Sequence, residues 1–248
     1  MENTIIDSSI NIANRILERQ EIINNNLSNS STIGFKSKFN YLINVYDKKN
    51  KRIKDKTLNY YDNTKGILNY TNRPLDIAAL DKNCWFVVKK NNSDIFLTKN
   101  GNIKIDKNNF LNINNNLLVN SDNKVIQIPR NSYPYIRNDG KIIIKIKNMF
   151  MNKKKIIGKI KLKYININKL YEKHSGLFKI KKKYINEKEI RKERNLKIIS
   201  GALEGSNVNI TSNITNMMSD SRLFEMIMKL IYTNNEKEKK INQILNIN

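Results

Sequence analysis

Residues 25–39 read Asn-Asn-Leu-Ser-Asn-Ser-Ser-Thr-Ile-Gly-Phe-Lys-Ser-Lys-Phe, NNLSNSSTIGFKSKF. The stretch closes an apolar helical pattern with a cluster of Asn, Ser and Thr. Such side chains satisfy the backbone groups that a helix end leaves without partners. Gly34 then permits a sharp change of direction, and Phe35 offers an apolar anchor just past it. Upstream, Ile6, Ile10, Ala13 and Leu17 step by four, three and four, and Ile5, Ile12, Ile16, Ile23 and Leu27 widen the stripe. This predicts a helix over residues 4–29 with a broad apolar face that wants more than one partner.

The far end of the chain has the same character. Gly201 and Gly205 break the preceding pattern, and Ser206, Asn207 and Asn209 supply caps. From about Asn209 to Leu245 a second long helix is expected. Ile210, Ile214, Met217, Phe224, Met228, Ile231 and Leu245 fall on one seven-residue repeat, with polar residues at Ser221, Asn235, Glu238 and Asn242. Phe224 sits at the centre of that seam.

Between the helices the signals are of β type. "CWFVV" (84–88) is a short apolar run. Asn100-Gly101 lies between two alternating segments and predicts a two-residue hairpin turn, and Asp139-Gly140 repeats the device. In "KIIIKIK" apolar and lysine positions alternate, as in a sheet with one wet face. Residues 31–75 read as extended chain with short strands, and the charged stretch 184–200 is compatible with a helix. The predicted organisation is an N-terminal helix (1–30), an extended connection (31–75), a β-rich domain (76–200) and a C-terminal helix (201–248). The fold class expected is α+β. The two long helices, without helical partners nearby in sequence, are expected to pack as a coiled-coil arm with an antiparallel β-rich middle domain inserted between them.

Composition limits the chemistry. Asn, Ile and Lys number 44, 40 and 37 of 248 residues, and all three have A/T-rich codons, so the net charge of +24 partly reflects biased codon usage on solvated surface. Residues 141–200 carry twenty basic and four acidic groups, while residues 1–50 and 201–248 are near neutral. The lysine excess (37 Lys to 9 Arg) and the lack of an RNP-like aromatic pattern argue against nucleic-acid binding, which stands as the alternative of a different class. With one cysteine, Cys84, and one histidine, His174, no metal centre is expected. Nucleotide-binding and nucleophile motifs are missing, and Asp76 and Asp81 are a poor acid–base pair. No enzyme and no cofactor are expected. Met1-Glu2-Asn3-Thr4 lacks the basic start of a cleaved signal, and no apolar run is long enough to span a membrane.

The opening stretch resembles the motif that closes the N-terminal helix of flagellar axial proteins, the rod and hook subunits. Asn25, Asn26, Leu27, Asn29, Thr32, Gly34, Phe35 and Lys36 match it, and Ser28 replaces the usual alanine. Leu203, Glu204, Ser206, Asn207 and Val208 resemble the same family's C-terminal signature. "GILNYTNRPLDIAALDKNCWFVV" (66–88), "FLTKNGNIKIDKNNFL" (96–111) and "RLFEMIMKLI" (222–231) are more similar to proximal than to distal rod subunits, the distal one being the alternative within the family. The resemblance implies a non-enzymatic subunit that polymerises helically into a torque-transmitting rod. It further implies passage through the flagellar type III export apparatus without signal cleavage, a periplasmic place in the basal body, and other rod subunits and further copies of the chain as partners. The motif residues and Phe224 are the expected assembly residues.

Overall fold

The computed structural model describes residues 2–47, 52–90, 94–130, 132–148, 151–174, 176–185 and 197–245. It divides into two compact units. One comprises residues 1–30, 38–60 and 208–248, and the other residues 31–37 and 61–207.

The first unit holds helix α1 (Glu2–Ser28), helix α2 (Ile210–Leu245) and the hairpin of β1 (Lys38–Asp47) with β2 (Arg52–Tyr61). The strands of this hairpin are ten residues each, longer than the sequence pattern indicates. The apolar stripe of α1 buries Ala13, Ile16 and Ile23. Ala13 and Ile16 form a small cluster with Ile227 of α2, and Phe224 and Ile231 pack against it. Beside the cluster, the Arg19 guanidinium donates to the buried Asp220 carboxylate, with Nε 2.6 Å from Oδ2.

The expected coiled-coil arm is corrected here. A coiled coil needs apolar knobs buried at every seam position of both helices. Instead the apolar contact between the helices is one small cluster, and beyond it they meet through polar pairs, Arg19 with Asp220, Gln20 with Ser221 and Asn26 with Asn213. The seam positions Ile210, Ile214 and Met228 are exposed, as are Ile10 and Leu17 of α1. Polar residues at Ser221 and Asn235 interrupt the repeat, so the pattern does not sustain a continuous seam. Among the described residues the architecture is α+β overall: two α-helices, one toward each end, and a large antiparallel β-rich body.

The second unit is that body. After β3 (Leu68–Tyr70) and β4 (Ile77–Ala79) come β5 (Cys84–Lys90), β6 (Asp94–Thr98), β7 (Lys104–Ile105), β8 (Leu111–Ile113) and β9 (Asn116–Leu118). Strands β10 (Ser132–Ile136), β11 (Lys141–Asn148) and β12 (Met151–Lys159) form a three-stranded antiparallel sheet. Strands β13 (Leu162–Tyr164), β14 (Leu170–His174) and β15 (Leu177–Ile180) complete the main sheet, in the order β14-β15-β6-β5-β9-β8-β7, with β13 also paired to β5. Finally β16 (Ile198–Ser200) pairs with β4, and β17 (Ala202–Glu204) with β3.

Strand β5 is the centre of the core because both its faces are covered. Successive strand residues point to opposite sides. Cys84, Phe86 and Val88 therefore join one cluster with Phe96, Leu111 and Leu118, while Trp85 and Val87 join another with Leu97 and Phe178. The Trp85 indole Nε1 donates to the Ile165 carbonyl at 2.9 Å, which satisfies its one polar atom inside the core.

Two turns separate sequence reading from structure. Asp139-Gly140 does join a hairpin, with Ile136 opposite Ile142 across β10 and β11. Asn100-Gly101 does not. Strand β6 pairs with β5 and β15, and β7 pairs with β8. Gly101 is needed for close approach instead, since a Cβ there would lie 1.6 Å from the Ile77 carbonyl oxygen. The tight turn of this region is Asn114-Asn115, between β8 and β9. Both residues have positive φ (47° and 62°), as a primed two-residue turn requires, and Ile113 faces Asn116 across it. The charged stretch 184–200 falls largely on residues 186–196, outside the described residues.

Candidate functional site

The N-terminal and C-terminal motifs converge at one place in the second unit. Residues 34–37 run alongside residues 204–207. The Gly34 amide donates to the Glu204 carbonyl at 2.8 Å, and the Asn207 amide to the Phe35 carbonyl at 3.4 Å. The Asn207 side chain closes the junction from both ends. Its Oδ1 accepts from the Ser37 amide at 2.7 Å, and its Nδ2 donates to the Asp62 carbonyl at 3.0 Å and to Thr64. Residues 62–68 thus form a third strand of chain in the junction. The Gly205 amide donates to the Ile67 carbonyl at 2.8 Å, and a Cβ on Gly66 would stand 2.1 Å from the Gly205 carbonyl oxygen.

Gly34 has φ +71°, in the left-handed region where glycine is unstrained, and its missing Cβ leaves room for the backbone of Lys99 and Asn100. Phe35 is buried. Next to it stands a charged pair that sequence reading missed. The Lys36 ammonium lies 2.7 Å from Glu204 Oε1 and donates to the Thr64 carbonyl at 2.5 Å. Both side chains are at most 1% exposed. Such a pair is a poor source of stability, because desolvation offsets the attraction, but losing one partner leaves a buried charge alone. Lys36 matches the motif in sequence, yet in so lysine-rich a chain nothing marks it out as buried.

Lys99 is a second buried lysine. Its Nζ donates to the carbonyls of Cys84 (2.6 Å) and Lys82 (2.7 Å) and sits 4.8 Å over the Trp85 ring. Burial lowers its pKa from 10.5 to about 8, against the opposing pull of Glu204. Burial likewise pushes the Cys84 thiol up to about 12. Both shifts arise from close packing under the Trp85 strand.

The remaining sequence-derived residues are placed as follows. In the first unit Asn26 is buried, and its amide clamps the start of β1: Nδ2 donates to the Lys38 carbonyl at 2.8 Å and Oδ1 accepts from the Lys38 amide at 2.9 Å. Asn25 is exposed, its carbonyl accepting from the Asn29 side chain at 2.9 Å. Leu27, Ser206 and Val208 are half-buried, and Phe224 packs on the interhelical cluster. Thr32 offers its carbonyl to the Phe35 amide at 3.2 Å. Leu203 is buried in β17, opposite Asn69. Away from the junction, His174 is exposed, 6.1 Å from the Phe96 ring, and Asp76 is held by Arg73 at 2.7 Å and Thr71 at 2.6 Å.

The C-terminal arm of this junction and α2 fall within a recognised family. The family model described as "Flagellar basal body rod FlgEFG protein C-terminal" matches residues 199–244. The class is therefore that of flagellar basal-body rod proteins. Over the whole length, the chain is 36% identical to the flagellar basal-body rod protein FlgF of Buchnera aphidicola subsp. Baizongia pistaciae across 252 residues, covering 99% of each chain. It is 36% identical to FlgF of Buchnera aphidicola subsp. Schizaphis graminum over 253 residues, again covering 99% of each, and 30% identical to FlgF of Salmonella typhimurium over 248 residues, covering 98% of each. The chain belongs to the FlgF family and is a structural subunit of the flagellar basal-body rod. The distal rod and nucleic-acid readings are set aside accordingly. No helix among the described residues is long and apolar enough to cross a membrane.

Proposed function

We propose that the subunit polymerises helically through its two terminal helices, with other rod subunits and further copies of itself as neighbours, and that the rod so formed transmits torque. The observation that carries this reading is the apolar surface on the helices. On α2, Ile210, Ile214, Met228 and Tyr232 lie on one flank of the strip that meets α1, and Leu223, Leu230 and Ile241 lie on the other; all are exposed. On α1, Ile10, Ile12 and Leu17 are exposed as well. A subunit that ends its life in a polymer has reason to keep such faces open, because each neighbour covers one. Near-neutral ends suit burial. The lysine-rich strands, costly to desolvate, suit solvent. Delivery through the flagellar type III export apparatus without signal cleavage, a periplasmic position and the absence of catalysis belong to the same reading, supported by the likeness to rod proteins. The motif residues of the junction and Phe224 hold the assembling ends in place.

Incorporation into isolated basal bodies tests the division of roles. Met226→Glu with Leu230→Glu alters only exposed positions of α2 and abolishes incorporation. Replacing Lys153, Lys154, Lys155, Lys181, Lys182 and Lys183 by Gln leaves incorporation as in the parent. The reverse pattern overturns the reading.

A further inference from the structure

We propose that the lysine run Lys153-Lys154-Lys155 guards the open edge of β12: it keeps this strand from pairing with the β12 of a second copy. The inference goes beyond the assembly reading, which says where copies attract and not what stops the β-rich body from competing.

The sheet β10-β11-β12 has two edges, and they are treated differently. At β10 the Ile136 amide points away from β11 and donates to the Pro74 carbonyl at 3.1 Å, and the Ile136 carbonyl accepts from Ser200 Oγ at 2.6 Å. Alternate amides of a strand point the same way, so position 134 would carry the next outward donor, and Pro134 has none. Strand β12 has no such cover. Among the described residues β11 is its only partner over 151–158, and the Ser121 amide reaches only the Lys159 carbonyl, at 3.1 Å.

That edge is a hazard. Ile156 is 55% exposed and Ile157 half-buried, and an unpaired strand bearing apolar side chains is a template for another chain. The lysines answer it on both faces. Lys154 stands opposite Lys145, and Lys155 opposite Ile144. Ile144 is fully buried, so Lys155 lies on the core-facing side of the sheet, yet Lys155 itself is exposed. A lysine is tolerated on that side only at an edge, because a further strand laid alongside would enclose it. Biased codon usage supplies lysines but does not favour that side. Symmetry adds a second penalty. Two copies pairing about an axis through Lys154 set Lys154 against Lys154 and, twice, Lys153 against Lys155, three facing pairs of like charge. No acidic residue stands between Gly140 and Tyr171 to relieve them.

Sedimentation velocity of the full chain tests this. The background is Met226→Glu/Leu230→Glu, which charges the exposed face of α2 and leaves β12 as the surface under test. In that background Lys153→Thr/Lys154→Val/Lys155→Thr is expected to dimerise about tenfold more tightly, or more, than the chain that keeps its lysines, as the relief of three facing pairs requires. Lys153→Glu/Lys154→Glu/Lys155→Glu is expected to stay monomeric alone, yet to form a one-to-one complex when mixed with the lysine chain, since the facing charges then attract. A Thr/Val variant no more associated than the lysine chain overturns the proposal, and so does self-association of the Glu variant. Absence of the mixed complex overturns it as well, and that arm decides if the Thr/Val variant precipitates. None of these readouts involves rods, so a failure of the assembly reading is seen separately, in the incorporation of Met226→Glu/Leu230→Glu.

Discussion

Substituting Gly34 by Ala tests the junction's geometry, because two costs coincide there and each occurs alone elsewhere in the same unit. Gly34 has φ +71°, and a Cβ would lie 2.5 Å from the Lys99 carbonyl carbon and 2.6 Å from the Asn100 amide nitrogen. Gly176 has φ +72° with nothing within 4 Å of its Cβ position, so it carries the backbone cost alone. Gly101 carries the steric cost alone, 1.6 Å from the Ile77 carbonyl oxygen without a positive φ. The left-handed conformation costs an alanine about 1–2 kcal/mol, of which about 0.4–1 kcal/mol is returned by the stiffer unfolded chain. Gly176→Ala is therefore expected to cost about 1 kcal/mol or less. Forcing a methyl against a backbone that cannot rotate away adds about 1–3 kcal/mol or more. Gly34→Ala should then cost about 2–4 kcal/mol, or about 5–15 °C in Tm for a unit of this size. Urea unfolding of the three variants, followed by Trp85 fluorescence inside the second unit, gives the comparison. If Gly34→Ala costs no more than Gly176→Ala, the close approach of residue 34 to Lys99 is wrong, and with it the junction described above.

Two further outcomes follow from the same structure. Asn26→Ala removes two hydrogen bonds to the Lys38 backbone and should cost about 2 kcal/mol, at about 1 kcal/mol per bond, whereas Asn25→Ala, on an exposed side chain, should stay within about 0.5 kcal/mol, both read by urea unfolding followed by the far-UV circular dichroism of the helices in the first unit. Lys99 gives stability a pH dependence of unusual sign. Its folded pKa of about 8 lies below the ordinary 10.5, so the native state sheds the proton first and stability rises with pH from about 8. The Cys84 thiol, pushed from 9.0 up to about 12, keeps its proton in the native state and offsets the rise above pH 9. Cys84→Ala should therefore extend the rise toward pH 10.5, to a total of about 3 kcal/mol, and Lys99→Met should remove it.

The sequence alone determined the elements whose code is local. Periodic apolar residues and capping clusters marked both terminal helices, Asp139-Gly140 marked its hairpin, and the run Cys84–Val88 marked the central strand. The two motifs gave the family, because they hold short backbone arrangements that few residue types can adopt. What tertiary structure decided were the meetings between distant segments. Asn100-Gly101 has the composition of a turn, yet Gly101 is spent on letting Ile77 approach, and the turn falls at Asn114-Asn115. The seven-residue pattern of α2 measured an apolar face without naming its cover, so where an apolar seam was expected there is a small apolar cluster continued by polar pairs, with the flanks left exposed. Lys36 and Lys99 are two of 37 lysines and look like all the others. They are buried because Glu204 and a ring of backbone carbonyls stand within 3 Å of their ammonium groups, and those partners lie up to 168 residues away along the chain. Charge burial depends on what the fold assembles around a side chain, and no local pattern records it.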